Sequence, residues 1–285
     1  MKTIKCTTNN GISAVFSYSR DADFFLVSLE GVYSVKNTIN TSQNATTDGS
    51  SYAGESLEQR NIVITAHICK DYKENRDILS RVFKVHSAGT FYHTEDGQTR
   101  RINYYVESLE VGETGIIRTA TISLICPDPY FTDGEATHIE MAGWEDCFEF
   151  PIEIPESGME FGKRKKEMIK AVENAGTTMI GIKMTIIAED IVVNPSIKNV
   201  TTGETLKLLC TMQPKDEIVI TTEQGNIDIV LYRGGEKINY NYTVDEENEG
   251  YIQLETGRNE ISYTADEGRD YMNVNFDFEN SYVMP

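Results

Sequence analysis

Pro127 and Pro129, separated by a single residue, constrain what this chain can fold into more than any other feature. They end the alternating pattern Thr119-Ala120-Thr121-Ile122-Ser123-Leu124-Ile125. Proline has no N–H for a strand ladder and holds the residue before it in extended geometry. A strand must therefore stop here, and Cys126-Pro127-Asp128-Pro129-Tyr130-Phe131 marks a junction between two β-rich halves. Pro127, Asp128, Pro129, Tyr130 and Phe131 form the expected inter-domain hinge. At 285 residues the chain exceeds a typical domain of roughly 100–200 residues, so each half can bury its own core. The expected plan is a first domain over 1–131, a connector over 132–160 and a second domain over 161–285.

In the first half the clearest strand is Arg60–Ile68, where Ile62, Ile64, Ala66 and Ile68 alternate with Asn61, Val63, Thr65 and His67. Shorter strands are expected over Ile12–Tyr18 and Phe24–Leu29. One helix is expected over Asp71–His86. Asp71 and Glu74 stand at capping-box spacing, Ser87-Ala88-Gly89 supplies the stop, and Tyr72, Ile78, Leu79, Val82 and Phe83 form an apolar stripe to lie on the sheet. Thr90–Glu95, Asp96-Gly97 and Gln98–Val106 then spell a hairpin with a two-residue turn, followed by a strand over Gly115–Ile125. Between these elements, Lys36–Tyr52 has almost nothing to bury. It is expected to be an extended arm held by a partner, or a surface hairpin about Asp48-Gly49. Asn37, Asn40, Thr41, Asn44, Asp48 and Tyr52 are its candidate interface residues.

Past the junction, Trp144, Cys147, Phe148 and Phe150 sit among acidic residues with Pro151 and Pro155, a connector that docks. Lys163-Arg164-Lys165-Lys166 is the one dense basic run, read as a solvated face or a contact with an acidic neighbouring subunit. Strands are expected over Lys183–Ala188, Thr205–Met212, Glu217–Thr222, Asp228–Tyr232, Tyr251–Leu254, Glu260–Tyr263 and Met272–Phe278. Asn194-Pro195, Thr202-Gly203, Gln224-Gly225, Gly234-Gly235 and Thr256-Gly257 read as the turns between them. Many short strands without a helix between them indicate a sandwich or a barrel.

Composition narrows the function. A formal charge of −19 argues against stable nucleic-acid binding, which needs clustered Lys and Arg to release counterions. A negative wall also suits a conduit, because it repels a passing polyanion. The most apolar run, Phe24-Phe25-Leu26-Val27-Ser28-Leu29, is far short of the ~20 residues that span a bilayer, so no membrane insertion is expected. Met1-Lys2-Thr3-Ile4-Lys5-Cys6 precedes no signal-length apolar stretch, so assembly is expected in the cytoplasm. Cys6, Cys69, Cys126, Cys147 and Cys210 show no paired spacing and are expected to be reduced and mostly buried.

His67, His86, His93 and His138 are dispersed, with no metal-site spacing. Asp245-Glu246-Glu247-Asn248-Glu249-Gly250 starts like a calcium loop but places Thr256 where a bidentate Glu is needed. No nucleophile elbow, P-loop or dinucleotide fingerprint is present, so neither catalysis nor a cofactor is expected. Asn239-Tyr240-Asn241-Tyr242 leaves one alternative open, a carbohydrate-binding sandwich that adheres to a host surface. Tyr240 and Tyr242 would share one strand face and could equally pack as ordinary sheet tyrosines.

Taken in order, the junction, Asn174-Ala175-Gly176, Asn194-Pro195, Thr201-Thr202-Gly203-Glu204 and Glu255-Thr256-Gly257-Arg258-Asn259-Glu260-Ile261 resemble segments of the distal tail proteins of long-tailed phages. The resemblance covers nearly the whole chain. It implies a mainly β fold: an N-terminal β-domain with one α-helix and an extended arm, then a galectin-like β-sandwich. It further implies a homohexameric ring of N-terminal domains at the tail tip, joining the tail tube protein to the tail-tip hub and leaving a channel for DNA. Tape measure and receptor-binding proteins would be further neighbours. Some relatives carry an extra carbohydrate-binding module in the second domain; no large insertion of that kind is present here. A phage-derived bacteriocin would read the same way.

Overall fold

A computed structural model describes residues 2–43, 48–112, 117–146, 162–166, 169–223 and 225–285, with the backbone alone described at 142–146, 162–166 and 248–249. The chain divides into two units, Met1–Gly134 with Ser281–Pro285, and Glu135–Asn280. The junction at 126–131 therefore lies inside the first unit. Residues 281–285 belong to the first unit although they end the second half of the sequence.

The first unit contains β1 (Thr3–Thr8), β2 (Ser13–Ser17), β3 (Phe24–Glu30), β4 (Asn37–Ser42), β5 (Ser51–Leu57), β6 (Arg60–Ile68), α1 (Tyr72–Val82), β7 (Ala88–Glu95), β8 (Gln98–Val111), β9 (Arg118–Cys126) and β10 (Phe131–Thr132). Its nine-stranded main sheet begins with a short last strand, Ser281–Tyr282, and continues β10-β8-β7-β1-β2-β3-β6-β9; a further pairing of β8 with β9 closes it into a barrel. Closure removes the free edges an open sheet would expose. The inward faces follow the period of two. Ile62, Ile64 and Ala66 of β6 and Ala120, Ile122 and Leu124 of β9 are buried, with Phe16, Phe91 and Tyr104 filling the interior. Both β9 and β10 pair with β8, and the two prolines lie in the gap between them, where the ladder is interrupted.

The helix is shorter than expected, because Phe83 leaves helical geometry at φ −109° and ψ 44°. Its ring enters the barrel, 6.1 Å from Phe16 and 6.3 Å from Tyr104. The capping box is absent. Asp71 sits in the left-handed region at φ 33°, and its side chain makes no cap hydrogen bond. An N-cap acceptor normally needs extended backbone to face the first turn. Asn75, buried and unforeseen, donates back to the Lys70 carbonyl at 2.7 Å instead. The expected hairpin forms, with Asp96 and Gly97 at positive φ as a tight primed turn requires. Residues 115–116 of the expected strand over Gly115–Ile125 lie outside the described residues, and the strand observed is β9.

The second unit contains β11 (Thr137–Glu140), β12 (Ala142–Asp146), β13 (Gly162–Lys166), β14 (Ile169–Asn174), β15 (Ile180–Gly181), β16 (Lys183–Ala188), β17 (Val192–Asn199), β18 (Thr205–Leu208), β19 (Thr211–Met212), β20 (Glu217–Glu223), β21 (Asn226–Arg233), β22 (Glu236–Asn239), β23 (Val244–Glu249), β24 (Gln253–Leu254), β25 (Gly257–Glu267) and β26 (Met272–Phe278). One sheet runs β11-β26-β16-β20-β21-β22, the other β14-β25-β17-β18-β23. Both contribute to one core. Met184, Ile186, Ile218, Ile220, Val274 and Phe276 from the first meet Val172, Ile197, Leu206, Ile261 and Tyr263 from the second, as in a sandwich.

Asn194-Pro195 is not a turn but a kink within β17, where Asn194 has φ 51°. Its amide accepts from Cys210 N at 3.0 Å and donates to Asp266 at 2.8 Å, bridging both neighbours of the strand. The acidic run from Asp245 lies on β23, and the basic run from Lys163 on β13, paired with β12. Cys147, Phe148, Phe150, Pro151 and Pro155 lie outside the described residues. Among the described cysteines Cys6 and Cys126 are buried, Cys210 is half-buried and Cys69 is exposed.

Three buried asparagines explain the loop segments singled out in the sequence. Asn174 donates to Thr178 O and Leu254 O at 3.0 and 3.1 Å and accepts from Gly176 N at 2.9 Å. Asn199 donates to Gln253 O at 2.8 Å and accepts from Thr201 N at 3.0 Å. Asn259 donates to Glu255 O and Gly257 O at 2.8 and 3.0 Å and meets Asn199 at 3.3 Å. Buried turns need such partners for their backbone groups, and an amide supplies both donor and acceptor.

Two expectations follow. Asn199→Ala strands several buried polar groups and should lower the stability of the second unit by about 2 kcal/mol in urea unfolding. Tyr104 has the opposite sign. Its buried hydroxyl has no partner among the described residues, and it occupies the space where a Cβ on Gly89 would lie 2.6 Å away. Tyr104→Phe should therefore raise the stability of the first unit by about 1 kcal/mol, while Gly89→Ala should lower it.

Candidate functional site

β4 and β5 pair with each other and with no other described strand. Every residue of β4 is exposed, and in β5 only Gly54 and Leu57 are partly covered. The arm is thus a hairpin that runs to Leu57, longer than the Lys36–Tyr52 stretch. Its register shifts by one residue between Asn40 and Thr41, leaving Ala53 as a bulge. The bulge decides what the arm presents. Ile39 and Thr41 share a face by alternation, and Thr41 is paired directly with Tyr52, so Ile39 and Tyr52 emerge on the same side. They are 59% and 64% exposed, an apolar pair on an otherwise polar element.

The base of the arm is closed by Glu58 N donating to Lys36 O at 2.9 Å and by Thr38 Oγ1 donating to Glu58 at 2.8 Å. Beneath it lies Arg60, the first residue of β6, only 4% exposed. Its Nη1 donates to the carbonyls of Gly31, Val32 and Ser34, each at 2.9 Å. Nε donates to Pro129 O at 3.0 Å and Nη2 to Val283 O at 2.7 Å, while the guanidinium lies 5.0 Å from the Phe131 ring centre. Burial pulls its pKa down, but an arginine remains charged at neutral pH. Gly31 is required for the cage, because at φ +81° a Cβ there would lie 1.8 Å from Asn61 O. A cavity of about 420 Å³ adjoins the site, lined by Glu30, Ser34, Lys36, Glu58, Arg60 and Pro129 among others.

A second anchor holds the same loop. Tyr33 Oη donates to Glu95 at 2.7 Å, accepts from Lys2 at 3.0 Å and lies 3.1 Å from Nε2 of the buried His93. Partial burial and the bond to Glu95 push the Tyr33 phenol up to about 12. Burial first, then the Lys2 charge, hold His93 below its ordinary value, while the Tyr33 hydrogen bond holds Glu95 below the usual carboxylate range.

The candidate interface residues Asn37, Asn40, Thr41, Asp48 and Tyr52 all lie exposed on this arm, and Asn44 lies outside the described residues. Asn37 donates to Glu55 across the hairpin at 2.7 Å. The expected hinge residues are fixed within the first unit. Tyr130 N bonds Asp128 at 3.1 Å, Pro129 O accepts from Arg60, and Phe131 is fully buried 6.4 Å from Phe91. Pro127 and Asp128 are exposed.

Tyr240 and Tyr242 do not share a strand face. They flank the first residue of a short 3-10 turn, Asn241–Thr243, with rings 5.5 Å apart and nearly perpendicular, and Tyr242 is 77% exposed. Among the described residues no group of three His, Cys, Asp or Glu could hold a metal ion. Arg60 was the residue sequence reading missed. The signal was its parity, since position 60 shares the inward face with Ile62, Ile64 and Ala66.

Residues 14–126, inside the first unit, match the phage tail protein RIFT-related domain family. The solved structure of SPP1 Dit (gp 19.1), described as a paradigm of the hub adsorption apparatus in phages infecting Gram-positive hosts, is similar over 97% of this chain and 98% of its own, with a TM-score of 0.65 and 12% identity. A chain of the phage P2 baseplate in its activated conformation aligns over 97% and 98% at a TM-score of 0.46 and 11% identity. No curated protein sequence matches the chain. Residues 14–126 thus match a phage tail domain, and the chain as a whole shares the fold of SPP1 Dit, in line with the resemblance read from the sequence.

The Tyr33 anchor makes the first unit acid-sensitive. His93 is faced by Tyr33, Glu95, Lys2 and Arg100, and its folded pKa lies below the unfolded value of about 6.5. The unfolded chain therefore binds the proton first, so stability is complete above about 6.5 and falls as pH drops below it. His93→Gln should flatten that acid limb in pH-resolved thermal unfolding; an unchanged limb contradicts the assignment.

Proposed function

We propose that this chain is a structural protein of the distal end of a phage tail, and that copies assemble through their first units into a six-membered ring. The ring would join the tail tube to the baseplate hub and leave an open axis for DNA. The observation that carries this reading is the unpartnered arm: an isolated two-stranded hairpin is marginal in water, and this one projects Ile39 and Tyr52 into solvent. A closed rotation of head-to-tail contacts satisfies such an arm on every copy at once, using a surface of the neighbour that need not resemble it. The tail-domain match over 14–126 and the distal-tail fold support the location at the tail tip. The net charge of −19 suits a channel through which DNA passes without sticking. The role is one of geometry, with no bond made or broken.

Glycan binding by the second unit rests on the exposed Tyr242 ring. It is the weaker reading, because the amide of Asn241 is already used by Asp228 at 2.9 Å and by Ile229 N at 2.9 Å.

The arm can be tested without disturbing the barrel. Replacing Ile39 and Tyr52 together by Asp should leave the melting temperature nearly unchanged, since both side chains are exposed. The same variant should shift particles in mass photometry from ring mass towards the 32.1 kDa chain. Ring formation equal to that of the unaltered protein contradicts the proposal.

A further inference from the structure

The arm has two legs, and both end on one guanidinium. The returning leg reaches Arg60 along the chain, three residues after Leu57 closes β5. The outgoing leg reaches it through space, by the carbonyls of Gly31, Val32 and Ser34, just before β4 begins at Asn37. The remaining donors go elsewhere, to Pro129 O and to Val283 O. Val283 belongs to a short segment that the chain enters directly from the second unit, whose last residue is Asn280.

That segment is itself docked on the barrel. Ser281 and Tyr282 pair with Thr132 and Phe131 of β10, Arg100 donates to Met284 O at 2.6 Å, and the Arg100 guanidinium lies 3.4 Å from the Tyr282 ring centre. Each Arg60 donor has a neutral carbonyl acceptor, and no carboxylate among the described residues pairs with it. A buried cation in such a cage depends on all of its acceptors, since losing one leaves charge that the others must share.

From this we infer that Arg60 is a positioning residue for the arm and that residues 281–285 are the element it reads: seating of this segment on the barrel and seating of the arm's base share one cation. Undocking 281–285 removes the Val283 carbonyl, loosens the cage and frees the outgoing leg, while the closed barrel ladder is untouched. The arm is thereby coupled to the segment that follows Asn280 in the chain. The coupling itself follows from the contacts; its use in assembly rests on the ring reading given above.

Hydrogen exchange on the full chain tests this with three variants: deletion of 281–285, Arg100→Ala, and Arg60→Lys, which keeps the charge but loses the fork. Deletion and Arg100→Ala should speed exchange over 31–42 and 51–59 by about tenfold, with β9 unchanged. Arg60→Lys should do the same with the segment still present. Arm exchange that ignores deletion of 281–285 overturns the coupling. So does acceleration spread evenly over the barrel, which would mean a general structural role. Because Arg60→Lys could unfold the unit, the first two variants decide the matter by themselves. Mass photometry of the same samples reads assembly separately: an unaltered chain that remains at 32.1 kDa defeats the ring reading, while exchange alone judges the coupling.

Discussion

A buried guanidinium with no counter-ion among the described residues organises the first unit. Removing a charge from water is costly unless it is fully hydrogen-bonded, and Arg60 is compensated by five backbone carbonyls from three separate stretches of chain. Hydrogen bonds to a charged donor contribute about 1.5–3 kcal/mol each, against about 1 for neutral pairs. The loop before the arm, the proline junction and residues 281–285 are therefore held together by a single side chain. Because the acceptors are main-chain groups, the cage depends on backbone path rather than on side-chain identity. Gly31 is the exception, since only glycine fits against Asn61 there.

Barrel closure and arm exposure are two sides of the same economy. The pairing of β8 with β9 consumes the β9 edge of the main sheet and leaves only the short Ser281–Tyr282 strand at the other end, so the barrel has little left with which to recruit a neighbour by strand addition. On the proposed ring reading the recruiting surface is the hairpin, whose strands pair with no other described strand and whose bulge turns Tyr52 to the Ile39 side. Two anchors, Arg60 and the Tyr33 cluster, then fix the root of an element that has no core of its own. A rigid root would lower the ordering cost of any docking by the arm, which is the general advantage of preorganisation.

Much of this was legible in the sequence, for physical reasons that differ by element. β6 was readable to the residue because one of its faces is buried and the period of two is unbroken. The prolines marked a ladder break because proline cannot donate, but which unit would hold them depends on long-range pairing with β8, which no local pattern encodes. The helix was overextended because nothing local reveals that Phe83 turns into the barrel beside Phe16. The loops at Asn174, Asn199 and Asn259 stood out as segments, yet their purpose emerged only when three amides met around β24. Asn194-Pro195 misled because a kinked strand and a turn use the same residues. Among the candidate interface positions, composition found the arm, whereas its apolar face required the register.

The central claim is that these chains tile around a hollow axis through their first units. Negative-stain electron microscopy of the purified full chain tests it most directly. Annular particles with six-fold symmetry and an open centre are the predicted result, and a field of single particles, or compact assemblies without a central opening, would contradict it.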